Sequence, residues 1–373
     1  GWTARLGSGM LTGTWSLFGQ SLPGLIPLLE YGLEKVHSAP WMTSLILEGI
    51  VPGVGTVLGF LPQLAALFLC LTFLESCGYL SRAAYLLDRA VRRFGLSGKS
   101  VAPFLLACGC GVPGVLACRT IRRESCRRLT ILTATFLPCG AKLPVIAFLA
   151  GTVFSQSWWV APLAYGAGVG AVLFSGWLLS GTRWFPRETG SFLMELPAYR
   201  WPRGRDLFRG VGQRLGEFLQ KAGSLLLLAS VAVWFAASFG WSPDGFCYLT
   251  GDNLECSLLA RMGQGLVPLF APLGWGDWRP AVAALTGLLA KESIVGTLAV
   301  LCPQGLPACL LMPAGAVSFL LFNLLCAPCL AALGAIRQEM ASRRYFWIAV
   351  GYQTALAWLV AWGVYQVGTI LMR

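Results

Sequence analysis

The sequence predicts an all-α polytopic membrane protein, with about seven transmembrane helices and two re-entrant broken-helix elements related as an inverted repeat. Three observations predict it. Of 373 residues, 56% are apolar and only 12% charged, with a mean hydropathy of +0.67. Soluble domains carry about 25% charged residues, so this chain lacks the polar side chains to cover a water-facing surface of its size. Seven apolar stretches approach the roughly 20 residues that a bilayer-spanning helix needs. The lysines and arginines gather in a few short stretches between them, as cytoplasmic loops do. Fifteen tryptophans fit the same reading, because aromatic rings collect at membrane interfaces. The net charge of +12 is explained by those loops, and nucleic acid is not an expected partner.

The spans read as 9–31, 54–76, 129–154, 158–180, 223–241, 308–335 and 345–370. Two further apolar stretches differ. Residues 101–118 are short and broken by Pro103, Gly109, Gly111, Pro113 and Gly114; residues 281–302 carry Lys291 and Glu292 near their centre. Basic clusters at 82–99 and 119–128 flank the first of these. If both clusters are cytoplasmic, 101–118 enters and leaves on the same side, which is tolerated only inside protein or around a cavity. The arginine-rich stretches 182–222 and 336–344 are likewise placed inside, and 242–278 outside. This sets the N-terminus in the cytoplasm, the C-terminus outside, and 281–302 re-entrant from the outside. Each re-entrant element is followed by a span holding a Pro-Cys break, FLPCGAKLPV at 136–145 and LLCAPCLAAL at 324–333. Inverted units of broken helices meeting near the midplane are a transporter architecture. The expected organisation is one transmembrane transport domain over 1–373, containing a first gate unit (79–154), an amphipathic cytoplasmic linker (182–222), a second gate unit (272–339) and a C-terminal helix (340–373).

Helix breaks free backbone carbonyls and amides that become ligands around a polar pathway. Cys110, Cys139 and Cys329 each stand at such a break, beside Pro113, Pro138 and Pro328. Thiolates suit soft or borderline metals, ferrous iron included, and suit magnesium or calcium poorly. The other membrane cysteines, Cys70, Cys77, Cys108, Cys118, Cys126, Cys302, Cys309 and Cys326, read as small packing hydrophobes. Cys247 and Cys256 share a polar outside loop and are either free thiols or a disulfide. Ionisable residues within spans are functional by default. Lys291 and Glu292 pair with neighbours or act as a gate or ion relay, and Glu75 is either an ion ligand or an interface residue. Lys142, close to Cys139, repels a cation unless it points elsewhere or finds a partner. His37 reads as a surface residue. GLSGKS at 95–100 fails the phosphate-loop pattern, since Arg93 stands where the first glycine belongs, and an amphipathic helix precedes it instead of a strand.

Taken in order, these stretches resemble the membrane domain of the bacterial ferrous-iron transporter FeoB family. The resemblance runs through GFLPQLAALFLCLTFLESCGYLSRAAYLLDRAVRRFGLSGKS (59–100), GCGVPGVLACRTI (109–121), RRLTILTATFLPCGAKLPVIAFLAG (127–151), LTGLLAKESIVGTL (285–298) and SFLLFNLLCAPCLAALGAIRQE (318–339), and covers most of 42–370. It implies ferrous-iron transport across the cytoplasmic (inner) membrane, with Fe2+ as substrate. Cys110, Cys139 and Cys329 then line the ion path, and Glu75 falls on the family's acidic residue. Two departures stand out. Gly111 replaces an asparagine, which removes an oxygen ligand, and Ser76 replaces an aspartate. The family's GTP-binding domain has no counterpart in this chain, which begins at Gly1 and reads as a piece of a longer protein. No nucleotide site and no enzymatic activity are expected in it. That domain, a small cytoplasmic accessory protein and a second copy of the chain are the partners the resemblance implies. A transporter of another metal or of a nucleoside, a non-transporting assembly subunit, and a thiol oxidoreductase using Cys326 and Cys329 are the rival readings.

Overall fold

In the computed structural model of the chain, the described residues are 15–17, 20–22, 40–153, 158–182, 185, 199, 201–242, 245–248, 257–302 and 313–371. They are overwhelmingly helical, because a backbone in an apolar medium must satisfy its own hydrogen bonds. The chain divides into two compact units, Gly1–Cys70 with Gly204–Met262, and Leu71–Arg203 with Gly263–Arg373.

The first unit begins with a short antiparallel hairpin, β1 (Trp15–Leu17) and β2 (Gln20–Leu22), with Trp15 opposite Leu22. A span was expected over 9–31. Its described part forms strands instead, in a stretch where Gly13, Gly19, Pro23 and Gly24 weaken any helix. Helix α1 (Pro40–Ser44) passes through a π-helical turn (Leu45–Ile50) into α2 (Val51–Ser76). Helix α9 (Gly204–Phe218) passes through a second π-helical turn (Leu219–Gly223) into α10 (Ser224–Ser238). The two chains of helix meet where Ser230 Oγ donates to Gly49 O at 2.9 Å and Trp234 Nε1 donates to Ser44 Oγ at 3.0 Å. A side chain at Gly53 would collide with Ser230, 2.2 Å from its Oγ. A second hairpin follows, β3 (Phe239–Ser242) with β4 (Gly245–Tyr248).

The second unit holds both gate stretches. Helix α3 (Tyr79–Arg92) ends in the GLSGKS turn, where Asp88 accepts from the Gly98 N–H at 2.7 Å and from Arg92 at 2.6 Å. A carboxylate thus fills the place an anionic phosphate would need. Then come α4 (Val101–Gly109) and α5 (Gly111–Ala117), followed by α6 (Glu124–Ala134) and α7 (Leu143–Thr152). Helix α8 (Val160–Leu179) follows. Helix α11 (Leu258–Phe270) lies within what was expected to be an outside loop. The second gate stretch has α12 (Trp278–Leu289) and α13 (Ser293–Leu301), then α14 (Pro313–Leu325), α15 (Leu330–Met340) and α16 (Arg343–Leu371).

Four helical stretches among the described residues are long and apolar enough to cross a bilayer: Gly53–Ser76, Val160–Leu179, Pro313–Met340 and Arg343–Ile370. They match four of the expected spans. The expected spans 129–154 and 223–241 occur as shorter helices, the first because it is broken in the middle. Pro313–Met340 is 78% buried and the other three 24–33%, so α14 and α15 are largely enclosed by protein while most of the other three is not. Trp275 stacks on Phe270 and meets Phe319 and Phe322 edge-on, packing aromatic rings against α14.

Each re-entrant element is a helix, a sharp reversal and a second helix packed back on the first. Both reversals are closed by a glycine that meets the residue seven away on the other arm. A Cβ at Gly114 would stand 2.8 Å from Ala107 Cα, and one at Gly287 would stand 2.5 Å from the Ile294 side chain. The arms then pack reciprocally. Helix α5 of the first re-entrant element lies on α15, the second half of the later broken span, and α13 of the second lies on α7, the second half of the earlier one. Gly114→Ala has only backbone and a small side chain to push against, so it should destabilise by about 1–3 kcal/mol. Gly151→Ala, with nothing within 4 Å, should be neutral or stabilise by up to about 1 kcal/mol. Thermal unfolding of the two detergent-purified variants checks this.

Candidate functional site

Four breaks define the centre of the second unit. At the first, Cys110 adopts an extended backbone (φ −151°, ψ 134°) between α4 and α5. Pro113 causes it, because its missing N–H would otherwise continue the helix by bonding to Gly109 O. At the second, α6 ends at Ala134 and the chain restarts at a 3-10 turn, Gly140–Lys142, whose preceding residue is Cys139 (φ −92°, ψ 169°). Pro138 prevents the direct continuation. At the third, Cys329 (φ −60°, ψ 159°) precedes α15, after Pro328 has ended α14. The fourth lies between α12 and α13, where Ala290 is extended (φ −145°, ψ 118°) and Glu292 precedes the new helix. The Ala290 carbonyl accepts from Ser293 Oγ at 2.7 Å. Three breaks therefore place a cysteine immediately before a helical start, and the fourth places a glutamate there.

These groups are neighbours. Cys110 interacts electrostatically with Cys139, Cys329 and Glu292, and Cys329 with Cys139, Glu292 and Lys291. They do not form a preset cage: among the described residues no three His, Cys, Asp or Glu side chains are placed to hold one ion. Cys108 and Tyr165 also belong to the neighbourhood of Cys139. Cys108, expected to be a packing residue, stands two positions before Cys110 and next to Gly109, which is the sequence signal for it. Glu75 is exposed in the last turn of α2, ahead of the left-handed Gly78 turn. A side chain at Gly111 would meet only Ala332 of α15, at 3.6 Å, so this position faces α15.

Carbonyls at the second and third breaks are already taken. Pro328 cannot donate to Leu324 O; Lys142 Nζ does so instead, at 2.6 Å, and also donates to Thr135 O at 2.9 Å. Lys291 Nζ donates to Asn323 O at 3.2 Å and to Cys326 Sγ at 2.9 Å. Neither lysine forms an ion pair among the described residues. An orphaned carbonyl at a buried helix end is costly, and here an ammonium group is the donor within reach. Cys326, buried as expected, is in addition a lysine partner. Cys326 and Cys329 are both free thiols, whereas Cys302, expected to be a packing residue, is disulfide-bonded. Cys256, His37 and the side chain of Cys247 lie outside the described residues, and with them the expected Cys247–Cys256 pairing.

The second break is braced from α16. Gln353, fully buried, donates through Nε2 to Leu132 O at 2.9 Å and to Thr135 Oγ1 at 2.8 Å. Gln353→Leu strands a carbonyl and a hydroxyl inside the protein. We expect a loss of about 1–3 kcal/mol, read as a lowered unfolding temperature.

Against known sequences, residues 57–153 and 219–343 match the family model described as Gate, nucleoside recognition. That is more than half of the chain and includes all four breaks. The chain belongs to the Gate family. Between the two Gate segments, residues 161–214 match the model for the ferrous iron transport protein B C terminus. Curated relatives of this Gate chain include the Fe(2+) transporter FeoB of Methanocaldococcus jannaschii, 36% identical over 345 residues, covering 90% of this chain and 51% of that protein. The FeoB transporter of Leptospira biflexa is 35% identical over 377 residues, covering 92% and 53%, and that of Staphylococcus aureus strain COL 35% over 340 residues, covering 89% and 50%. The Gate chain spans about half the length of these relatives. No solved structure matches it.

Proposed function

We propose that this chain is a membrane path for ferrous iron, carried between two gate units and coupled to a GTP-binding domain outside the chain. The carrying observation is the set of four helix breaks, three headed by cysteine and one by Glu292, lying within electrostatic range of one another. Sulfur with one carboxylate suits a borderline divalent ion. With no trio preset for one ion among the described residues, the ion moves from ligand to ligand as the gates rearrange, and weak successive sites permit release. Support for iron comes from the relatives, whose names are those of Fe(2+) transporters. A cytoplasmic N-terminus follows from the basic loops. A cytoplasmic accessory protein and self-association complete the reading.

The nucleoside alternative is favoured by one observation, the description of the Gate family itself. Flux into proteoliposomes separates the two. Ferrous iron under reducing conditions should enter faster than manganese or zinc, and added nucleosides should not slow it. Nucleoside uptake that metals fail to inhibit would reverse the assignment.

A further inference from the structure

Lys142 and Lys291 are 4% and 1% exposed, and each is an electrostatic neighbour of the other. They converge on one feature, the C-terminal end of α14, through Leu324 O and Asn323 O. Such an end carries about half a negative charge, which one ammonium group would more than satisfy. A second lysine at the same end is therefore more than capping requires. Between them lies a narrow gap that both lysines line together with Ile146, Leu320 and Asn323. Asn323 is 3% exposed, and its Oδ1 has no hydrogen-bond partner, although its Nδ2 donates to Phe319 O at 3.0 Å. A buried amide oxygen beside two ammonium groups is one more unused acceptor than helix capping requires.

We infer that Lys142 and Lys291 are a tethered-cation plug: their ammonium groups occupy the carbonyls of Thr135, Asn323 and Leu324, which a dehydrating cation would use, and the path opens when they leave. This rests on the reading above that a cation passes between the gates. Carbonyl rings replace an ion's hydration shell, and a fixed positive charge in a pore excludes cations; here one set of atoms serves both purposes. The two lysines reach adjacent carbonyls of one helix end from different stretches of the chain, Lys142 taking Leu324 O and Lys291 taking Asn323 O, so neither stretch frees the whole end alone.

The test uses the purified protein in proteoliposomes, with potassium and ferrous iron each measured. Lys142→Met with Lys291→Met removes both charges and keeps the chain length, and should raise cation leak about tenfold. The corresponding arginine variants should stay within about twofold of the unmodified protein. Folded methionine variants whose leak equals or falls below the unmodified level overturn the plug. If the methionine variants do not fold, amine-reactive labelling of the unmodified protein decides. Both lysines should be protected without metal and become labelled when ferrous iron is added; unchanged protection overturns the inference. A potassium leak without iron flux keeps the plug and removes the iron reading, whereas iron flux indifferent to both lysines does the reverse.

Discussion

Replacing Cys110, Cys139 and Cys329 together by alanine should lower ferrous-iron flux by more than about tenfold, the scale on which metal sites respond to loss of their ligand shell. The three residues come from three separate elements and share electrostatic neighbours, so each single variant should lose less than the triple. Serine in place of cysteine distinguishes ligation from packing. It keeps the size near that of the thiol but offers a hard oxygen, so iron flux should fall while manganese flux falls less. Glu292→Gln should resemble one of the single cysteine variants, since it removes the charge at the fourth break. Uptake in cells lacking their own ferrous-iron system provides the readout. A triple variant with unaltered uptake would remove sulfur from the mechanism.

The second large effect is expected at Arg119 and Glu339, far apart in sequence. Arg119 follows α5, and Glu339 lies in the last turn of α15. Arg119 Nε donates to Glu339 Oε1 at 2.6 Å. The carboxylate side chain is 6% exposed and the arginine side chain 49%. The asymmetry sets the prediction. Arg119→Ala leaves a buried carboxylate without its main partner and should cost about 1–3 kcal/mol, a figure already reduced for the exposed arginine end. Glu339→Ala leaves an arginine that can turn to water, and should cost about 1 kcal/mol or less. Unfolding of the two single variants and the double variant measures the coupling. Equal costs would mean that the pair is a surface contact and not a tie between α5 and α15.

Much of this fold is legible residue by residue. The breaks at 110, 138–139 and 328–329 follow from proline and glycine, whose effects on the backbone are local. The amphipathic α3 and the helix-ending turn at 95–100 are equally local. The hairpin at 15–22 was misread because a count of apolar residues ignores the glycines among them. Cys326 and Cys108 were set aside because apolar surroundings say nothing of what a thiol meets across the interface.

The sequence by itself determined that the chain is helical and membrane-bound, where its helices snap, and which residues stand at each break, because hydropathy, charge placement and proline act over a few residues. Only the tertiary structure decided that Lys142 and Lys291 occupy the freed carbonyls of α6 and α14, that Glu292 shares the space of the thiols, and that Arg119 meets Glu339. Those pairings span 182, 32 and 220 positions for Lys142–Leu324, Lys291–Asn323 and Arg119–Glu339. A buried ammonium takes whatever acceptor the packing brings to it, and no spacing rule along the chain encodes which one that is.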